Sequence, residues 1–197
     1  MGTTALKKLV IKTTLITLAS LIGTMIIAFS AVAIFAPGFT AGIFDSVGNY
    51  SASVFFYEKQ YLKTNDINDL SVLVNKIDIE SDCVRAERYL GEMVEHEDFD
   101  TFCDSQSQSG KLSLVEYYCG NYVFVLANNG KFSDALTVAE NYVNDYSYTK
   151  DNPYTVLVYG LKNVTNEQLQ AIKDKLELLN QTDVKNEIDY INEQLLG

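Results

Sequence analysis

The chain has 197 residues, with 15 Lys and Arg against 26 Asp and Glu, and a net charge of −11. This balance excludes nucleic-acid binding, because contacts to phosphate need a patch of Lys and Arg. Beyond an apolar N-terminal run, a body of about 150 residues is enough for one domain with a sizeable core. Arg is scarce beside many Lys and Asn, which is typical of an AT-rich genome and indicates a bacterial source.

Residues 13–36 predict a membrane-spanning helix. No residue from Thr13 to Phe44 is charged, and about 20 apolar residues span a bilayer core. Three basic residues and no acidic one precede the run, namely Lys7, Lys8 and Lys12. The positive-inside rule therefore places residues 1–12 in the cytoplasm and the body outside it, in a single-pass arrangement. Pro37-Gly38 is expected to end the span.

A cleaved signal peptide is the alternative interpretation of this run. Ala31-Val32-Ala33 has the small-x-small form of a cleavage site. The apolar run is longer than the roughly 7–15 residues of a signal peptide, which favours an uncleaved anchor. Both interpretations place residues 45–197 outside the cytoplasm, either tethered to the cell membrane or secreted.

The rest of the chain has apolar residues at steps of three and four, which predicts helices. A helix over residues 39–63 is expected to carry the chain away from the membrane. After a cap at Asp66, short helices are predicted over residues 67–77, 83–96 and 99–103. Asp104 to Lys111 predicts a polar loop.

Capping residues predict where the later helices begin. Ser113-x-x-Glu116 has the pattern of a capping box, and the helix that it opens should stop at Asn128-Asn129-Gly130. Ser133 is expected to cap the next helix, and Asn152-Pro153 to start another. Thr165-x-x-Gln168 then opens a C-terminal helical hairpin with a turn near residues 180–183.

No segment shows sustained alternation of period two, so the predicted fold class is all-α. The expected organisation is a helical repeat-like domain over residues 39–163, with a helical hairpin over residues 164–197 packed on it. The predicted core includes eight residues: Leu70, Leu90, Val115, Leu126, Ala135, Tyr142, Leu157 and Leu176.

Residues 112–146 resemble a tetratricopeptide-type helix pair. The two helices meet at Asn129-Gly130-Lys131-Phe132, and Ala135 and Ala139 follow. The match is partial, since Val123 and Tyr142 stand where that family has small residues. No period near 34 residues repeats along the chain. The resemblance implies an α-solenoid-like scaffold and, by analogy, protein binding.

The densest ionisable cluster surrounds the one His. Glu92 and His96 are four residues apart and would share a helix face, but a transition-metal site needs a third ligand. A solvated helix end is the simpler interpretation, so no metal or cofactor is predicted. Neither a nucleophile elbow nor a Gly-rich loop occurs in the sequence. An exported enzyme that uses a carboxylate pair or this His cluster remains the alternative function.

The cysteines give two open alternatives. Cys83, Cys103 and Cys119 form no C-x-x-C pair. In an exported body, Cys103 and Cys119 could form a disulfide across the Asp104–Lys111 loop. Equally, all three could be small buried hydrophobic residues.

The clearest functional feature is a run of tyrosines within 18 residues: Tyr142, Tyr146, Tyr148, Tyr154 and Tyr159. Tyrosine is enriched at binding hot spots, and beside acidic helices such a run suits a partner with basic residues. The alternative is that the five rings fill a helical core. We predict that they bind a protein partner or a second copy of the chain, and that the protein is a non-catalytic interaction or scaffolding domain.

Overall fold

The structure is a computed structural model that describes residues 2–106, 110–179 and 184–196, with side chains from Lys7 onward. The described residues form eleven α-helices and no strand, which confirms the all-α prediction. The helices are α1 (Gly2–Phe35), α2 (Pro37–Ser46), α3 (Tyr50–Thr64), α4 (Ile67–Lys76), α5 (Cys83–Val94), α6 (Phe99–Gln106), α7 (Lys111–Asn128), α8 (Phe132–Tyr146), α9 (Pro153–Thr155), which continues as a π-helical turn (Val156–Gly160), α10 (Asn166–Leu178) and α11 (Lys185–Leu196).

The chain divides into two compact units, Met1–Thr64 and Asn65–Gly197. The first contains α1 to α3, and we call the second the helical unit. The predicted repeat-like domain of residues 39–163 is thus divided between them, with residues 39–64 in the first.

The first unit contains the predicted membrane helix. Within α1, the stretch Lys7–Phe35 is long and apolar enough to cross a bilayer. It ends one residue before the predicted end and begins six residues before the predicted start. Pro37 occupies the first turn of α2.

The predicted helix over residues 39–63 is wrong, because the chain reverses between α2 and α3. Gly48 adopts a φ of +73° there, a backbone conformation that favours glycine. Ile43, Val47, Tyr50 and Val54 keep helical spacing across the reversal, so periodicity alone does not reveal the break.

In the helical unit, α7 is the central element, contacting α5, α6, α8, α9 and the π-helical turn. The α7–α8 pair turns at Gly130, whose φ is +77°. All eight predicted core residues are buried, from Leu70 to Leu176. Their burial explains how a short-helix unit holds together, since apolar surface removed from water is its main stabilising term.

The capping predictions meet a mixed result. The Thr165 and Gln168 capping box is present, and Asp66 accepts the Asn68 N–H. Asn152 likewise accepts the Tyr154 N–H, with Pro153 in the first turn of α9. These caps are local, so sequence alone locates them.

Two predicted caps are wrong. Helix α7 begins earlier, at Lys111 after Gly110, and the Ser113 hydroxyl donates to the Gly110 carbonyl instead of capping. Helix α8 begins at Phe132, one residue before Ser133. The predicted loop at Asp104 also begins too early, because α6 extends to Gln106. Residues 107–109 of that loop and the predicted turn at 180–183 lie outside the described residues.

Candidate functional site

The five predicted binding tyrosines do not form one surface. Tyr142 and Tyr146 lie on α8, which ends there because Ser147 takes a φ of +72° and redirects the chain. Tyr148 follows this turn, Tyr154 lies in α9 and Tyr159 in the π-helical turn. The structure therefore places them in three separate environments.

Tyr154 lies in the core and has no exposed surface. Its hydroxyl is buried without a hydrogen-bond partner among the described residues. Burial raises the pKa of Tyr154 to about 12. In this structure the side chain cannot contact a partner, so here the core interpretation of the tyrosine run holds.

Tyr142 is also buried, but its hydroxyl belongs to a hydrogen-bond network. It lies 3.3 Å from Glu116 Oε1 and 3.2 Å from Thr149 Oγ1, and Thr149 donates to the same carboxylate oxygen at 2.5 Å. Burial, aided by the Glu116 charge, raises the pKa of Tyr142 to about 12. The network joins α7 and α8 to the segment after α8. Glu116 therefore accepts hydrogen bonds from Tyr142 and Thr149 and does not form the predicted capping box with Ser113.

Tyr146 forms a second network with a charged pair. Its hydroxyl donates to Asp100 Oδ1 at 2.5 Å, and Lys111 Nζ lies 2.8 Å from Asp100 Oδ2. The Lys111 ammonium also lies 5.5 Å from the centre of the Tyr146 ring. Hydrogen bonds from Lys111, the larger effect, and from Tyr146 hold the pKa of Asp100 below its usual value. These contacts join α6, α7 and α8 at one end.

A cavity of about 210 Å³ lies between α5, α6, α7 and α8. We call it the α5–α8 cavity. Tyr142 and Tyr146, whose ring centres are 5.4 Å apart, line it. Two exposed carboxylates, Glu95 and Asp145, belong to the same lining. The other lining residues are Val94, Phe99, Cys119, Tyr122, Val138 and Asn141.

This arrangement suits a cationic side chain. Aromatic rings attract a cation through their electron-rich faces, and carboxylates at the rim attract it through charge. Tyr122 and Asp145 were not singled out as site residues by the sequence, and Glu95 was named only as a member of the ionisable cluster around His96. The spacing of Asp145, three residues after Tyr142 on α8, is the signal that could have included it.

A second cavity, of about 590 Å³, is lined by Tyr159 and Glu187 among others. The Tyr159 ring lies 4.8 Å from that of Tyr190. Glu187 is 8% exposed, and neither its Oε2 nor the Tyr148 hydroxyl has a partner of ordinary hydrogen-bond geometry among the described residues. Burial, and after it the Glu187 charge, holds the pKa of Tyr148 well above its usual value. Tyr148 and Tyr159 thus both lie near Glu187, and neither lines the α5–α8 cavity.

The His96 cluster does not form the predicted helix face. Helix α5 ends at Val94, so His96 lies beyond it, while Glu92 forms a 3.0 Å ion pair with Arg88. His96 Nδ1 accepts the Asp98 N–H at 3.1 Å. Across residues 2–106, 110–179 and 184–196, no three His, Cys, Asp or Glu side chains are grouped as metal ligands.

All three cysteines fall within the described ranges, and all are free thiols. The hypothesised Cys103–Cys119 disulfide is therefore not formed in this structure. Burial raises the pKa of Cys103 to about 11 and that of Cys119 to about 12. Such thiols behave as small core residues, because the reactive form is the thiolate.

Comparison of the chain with protein-family models, with curated proteins and with solved structures finds no match in any of the three. The tetratricopeptide resemblance therefore rests on the residues of 112–146 alone. What points to a function is the geometry of the two cavities and the apolar N-terminal helix.

Proposed function

We propose that this chain is a membrane-anchored, non-catalytic interaction domain that binds a basic segment of a partner protein in the α5–α8 cavity. The observation that carries the proposal is the convergence of aromatic rings and two exposed carboxylates, Glu95 and Asp145, on one concave surface. An α-solenoid-like arrangement of α5 to α8, as the tetratricopeptide resemblance implies, is part of the proposal.

The charge of the whole chain supports a basic partner. Beyond the three leading Lys, the sequence holds 12 Lys and Arg against 26 Asp and Glu, a net charge of −14. Such a field speeds encounter with a positively charged segment and disfavours acidic ones. The partly exposed rings of Tyr122 and Tyr146 then supply contact area at a small entropic cost, as tyrosine does at other interfaces.

The anchor and its direction are the second part of the proposal. In it α1 spans the cell membrane of a bacterium, with residues 1–12 in the cytoplasm and the helical unit outside. The Lys residues before the span support this direction. An uncleaved anchor is favoured over a secreted form, because the apolar run is longer than the roughly 7–15 residues of a signal peptide.

The direction can be tested by labelling intact cells with a membrane-impermeant thiol reagent. In a chain whose native cysteines are replaced by Ala, a cysteine at Gly197 should be labelled and one at Thr3 should not. The opposite pattern would reverse the proposed topology. A mature chain lacking residues 1–33 would instead establish the secreted form.

The binding site can be tested by photocrosslinking in cells that express the full chain. A photoreactive amino acid at Asn141, which lines the cavity, should crosslink to a segment rich in Lys or Arg. Asp145→Lys should lower that yield at least about tenfold, because it replaces attraction by repulsion at the rim. Asp189→Lys on α11 changes the charge equally, lies outside the cavity lining, and should leave the yield unchanged.

Equal crosslinking yields in the parent and in Asp145→Lys would refute the cavity as the binding site. A crosslink between two copies of the chain would establish self-association in place of a separate partner. The alternative of an exported enzyme gains no support from His96, whose Nδ1 already accepts a backbone N–H.

A further inference from the structure

Helix α2 turns back alongside the end of α1. The Phe44 ring of α2 lies 6.2 Å from the Phe29 ring of α1, in an edge-to-face arrangement. Phe29 is six residues before the end of α1, or about 9 Å at the helical rise of about 1.5 Å per residue. The chain therefore returns along the apolar helix instead of leaving it.

Helix α3 then runs outward again beside α2. The Phe44 and Phe56 rings stack at 5.5 Å with an interplanar angle of 5°. At the other end of the hairpin, the Gly38 N–H donates to Gln60 Oε1 at 3.2 Å. Lys63 Nζ donates to the carbonyl of Phe35, the last residue of α1, at 2.8 Å. Contacts at both ends thus hold the α2–α3 hairpin against the last turns of α1.

The hairpin exposes large apolar side chains along its length. Phe39 is 67% exposed, Val47 70% and Leu62 60%. Other exposed apolar residues of the hairpin are Ile43, Tyr50 and Phe55. In water such an apolar surface favours aggregation, whereas in a bilayer it can pack against lipid tails.

Apart from Asp45, the charged residues of the hairpin lie at the end that the inference places near the bilayer surface. Residues 46–57 carry no charge, and Glu58, Lys59 and Lys63 all lie in the second half of α3. Lys63 lies level with the C-terminal end of α1, where the helix dipole stabilises a positive charge. Asp45, near the inner turn, limits how deeply that turn can lie, since carboxylates are costly towards the bilayer centre.

Several backbone groups of the inner turn are hydrogen-bonded within the protein. The N–H groups of Val47, Gly48 and Asn49 donate to carbonyls of residues 43, 45 and 44 respectively. The Asn49 side chain accepts the Ala52 N–H, and the Ser46 hydroxyl donates to the Ile43 carbonyl. Internal pairing of this kind is what hydrocarbon demands, because no solvent there can hydrogen-bond a polar group.

We infer that the α2–α3 hairpin is immersed in the leaflet at the C-terminal end of α1, with Lys63 and Gln60 at the lipid–water boundary and the Gly48 turn towards the bilayer interior. The inference goes beyond the proposed binding function and requires only that α1 spans a bilayer. Its occupant is lipid: the surface continues the apolar surface of α1 and lies level with its last turns.

Fluorescence quenching by lipid tests this directly on the full chain. With Cys83, Cys103 and Cys119 replaced by Ala, single cysteines at Phe39 and Val47 carry an environment-sensitive dye in phosphatidylcholine vesicles. The vesicles contain lipid with a nitroxide either near the headgroup or midway along the acyl chain. Both dyes should be quenched severalfold, Phe39 more by the shallow nitroxide and Val47 more by the deep one.

Two control positions distinguish a failure of the hairpin inference from a failure of the membrane-spanning proposal for α1. A dye at Ile22 in the middle of α1 should be quenched by the deep nitroxide, and one at Lys173 on α10 should not be quenched. If Ile22 is quenched and Phe39 and Val47 are not, the hairpin lies in water and the inference is overturned while the span stands. If Ile22 is unquenched, α1 does not span the bilayer and both ideas fail.

A second copy of the chain is the competing occupant of this surface. It predicts dyes at Phe39 and Val47 that are shielded from water yet unquenched by lipid, with a signal that changes as chains are diluted in the vesicle. That pattern would replace the lipid assignment by self-association. Circular dichroism of each labelled variant checks that the helices are retained.

Discussion

Replacing Tyr154 by Phe should make the protein more stable. The Tyr154 ring lies in the core without exposed surface, and its hydroxyl has no hydrogen-bond partner among the described residues. A buried donor left unsatisfied costs about 1–3 kcal/mol relative to its hydrated state. Tyr154→Phe removes that group and keeps the ring, so we expect the free energy of unfolding to rise by about 1 kcal/mol.

Tyr142→Phe is the matched control, because it removes the same atom from a buried ring on a neighbouring helix. The Tyr142 hydroxyl has two partners, Glu116 and Thr149. Its loss removes hydrogen bonds and leaves those partners less well satisfied, which typically costs about 1 kcal/mol. The two substitutions should therefore change stability in opposite directions.

Thermal unfolding of the full chain in mild detergent, followed by far-ultraviolet circular dichroism, measures both variants. A change of about 1 kcal/mol corresponds to a Tm shift of roughly 3–5 °C for a unit of this size. The Tm should rise for Tyr154→Phe and fall for Tyr142→Phe. A Tyr154→Phe variant less stable than the parent would show that the hydroxyl is satisfied in the folded protein, and the reasoning would be wrong.

Three further measurements check the core, the thiols and one ion pair. Leu126→Ala should cost about 2–5 kcal/mol of unfolding free energy, because it opens a cavity at a buried position; a variant as stable as the parent would contradict this. An aromatic disulfide reagent at pH 8 should modify the half-exposed Cys83 quickly, and the buried Cys103 and Cys119, with their raised pKa values, only slowly; three equally fast thiols would contradict it. The Asp100 carboxylate has a lowered pKa, so its ionised form stabilises the fold at pH values above the usual aspartate pKa of about 4. That stabilisation is lost as the pH falls through the lower pKa of the folded protein, so Asp100→Asn should be less stable than the parent at pH 7 and equal to it in acid. A stability difference independent of pH would exclude the ion pair as its cause.

Helix content and most caps were predictable because they depend on neighbouring residues. Asp66, and Thr165 with Gln168, satisfy N–H groups within three positions along the chain, so the pattern is complete in the sequence. The reversal at Gly48 was missed because the apolar spacing on both sides is in phase. What decides there is packing of α2 against α1 and α3, which a local pattern does not contain.

The candidate site was less predictable than the fold, since it depends on where the chain turns after α8. A positive φ at Ser147 sends Tyr148 away from the face that carries Tyr142 and Tyr146. Glu116 was assigned to a cap because of its spacing from Ser113, whereas its partners Tyr142 and Thr149 are distant in sequence. Proximity of five tyrosines in sequence therefore did not become proximity in space.

The central position of α7 has a consequence for the order in which the protein can be made. Its buried side chains include Val123 and Val125, two residues apart, so more than one side of the helix is covered by neighbours. Two of those neighbours, α5 and α6, precede it, but α8, α9 and the π-helical turn follow it, ending at Gly160. A ribosome that has added Asn128 has thus produced an apolar helix whose partners are still about 30 residues from completion, an interval in which exposed apolar surface favours aggregation. Chains shortened before residue 160 would remain in that exposed condition permanently.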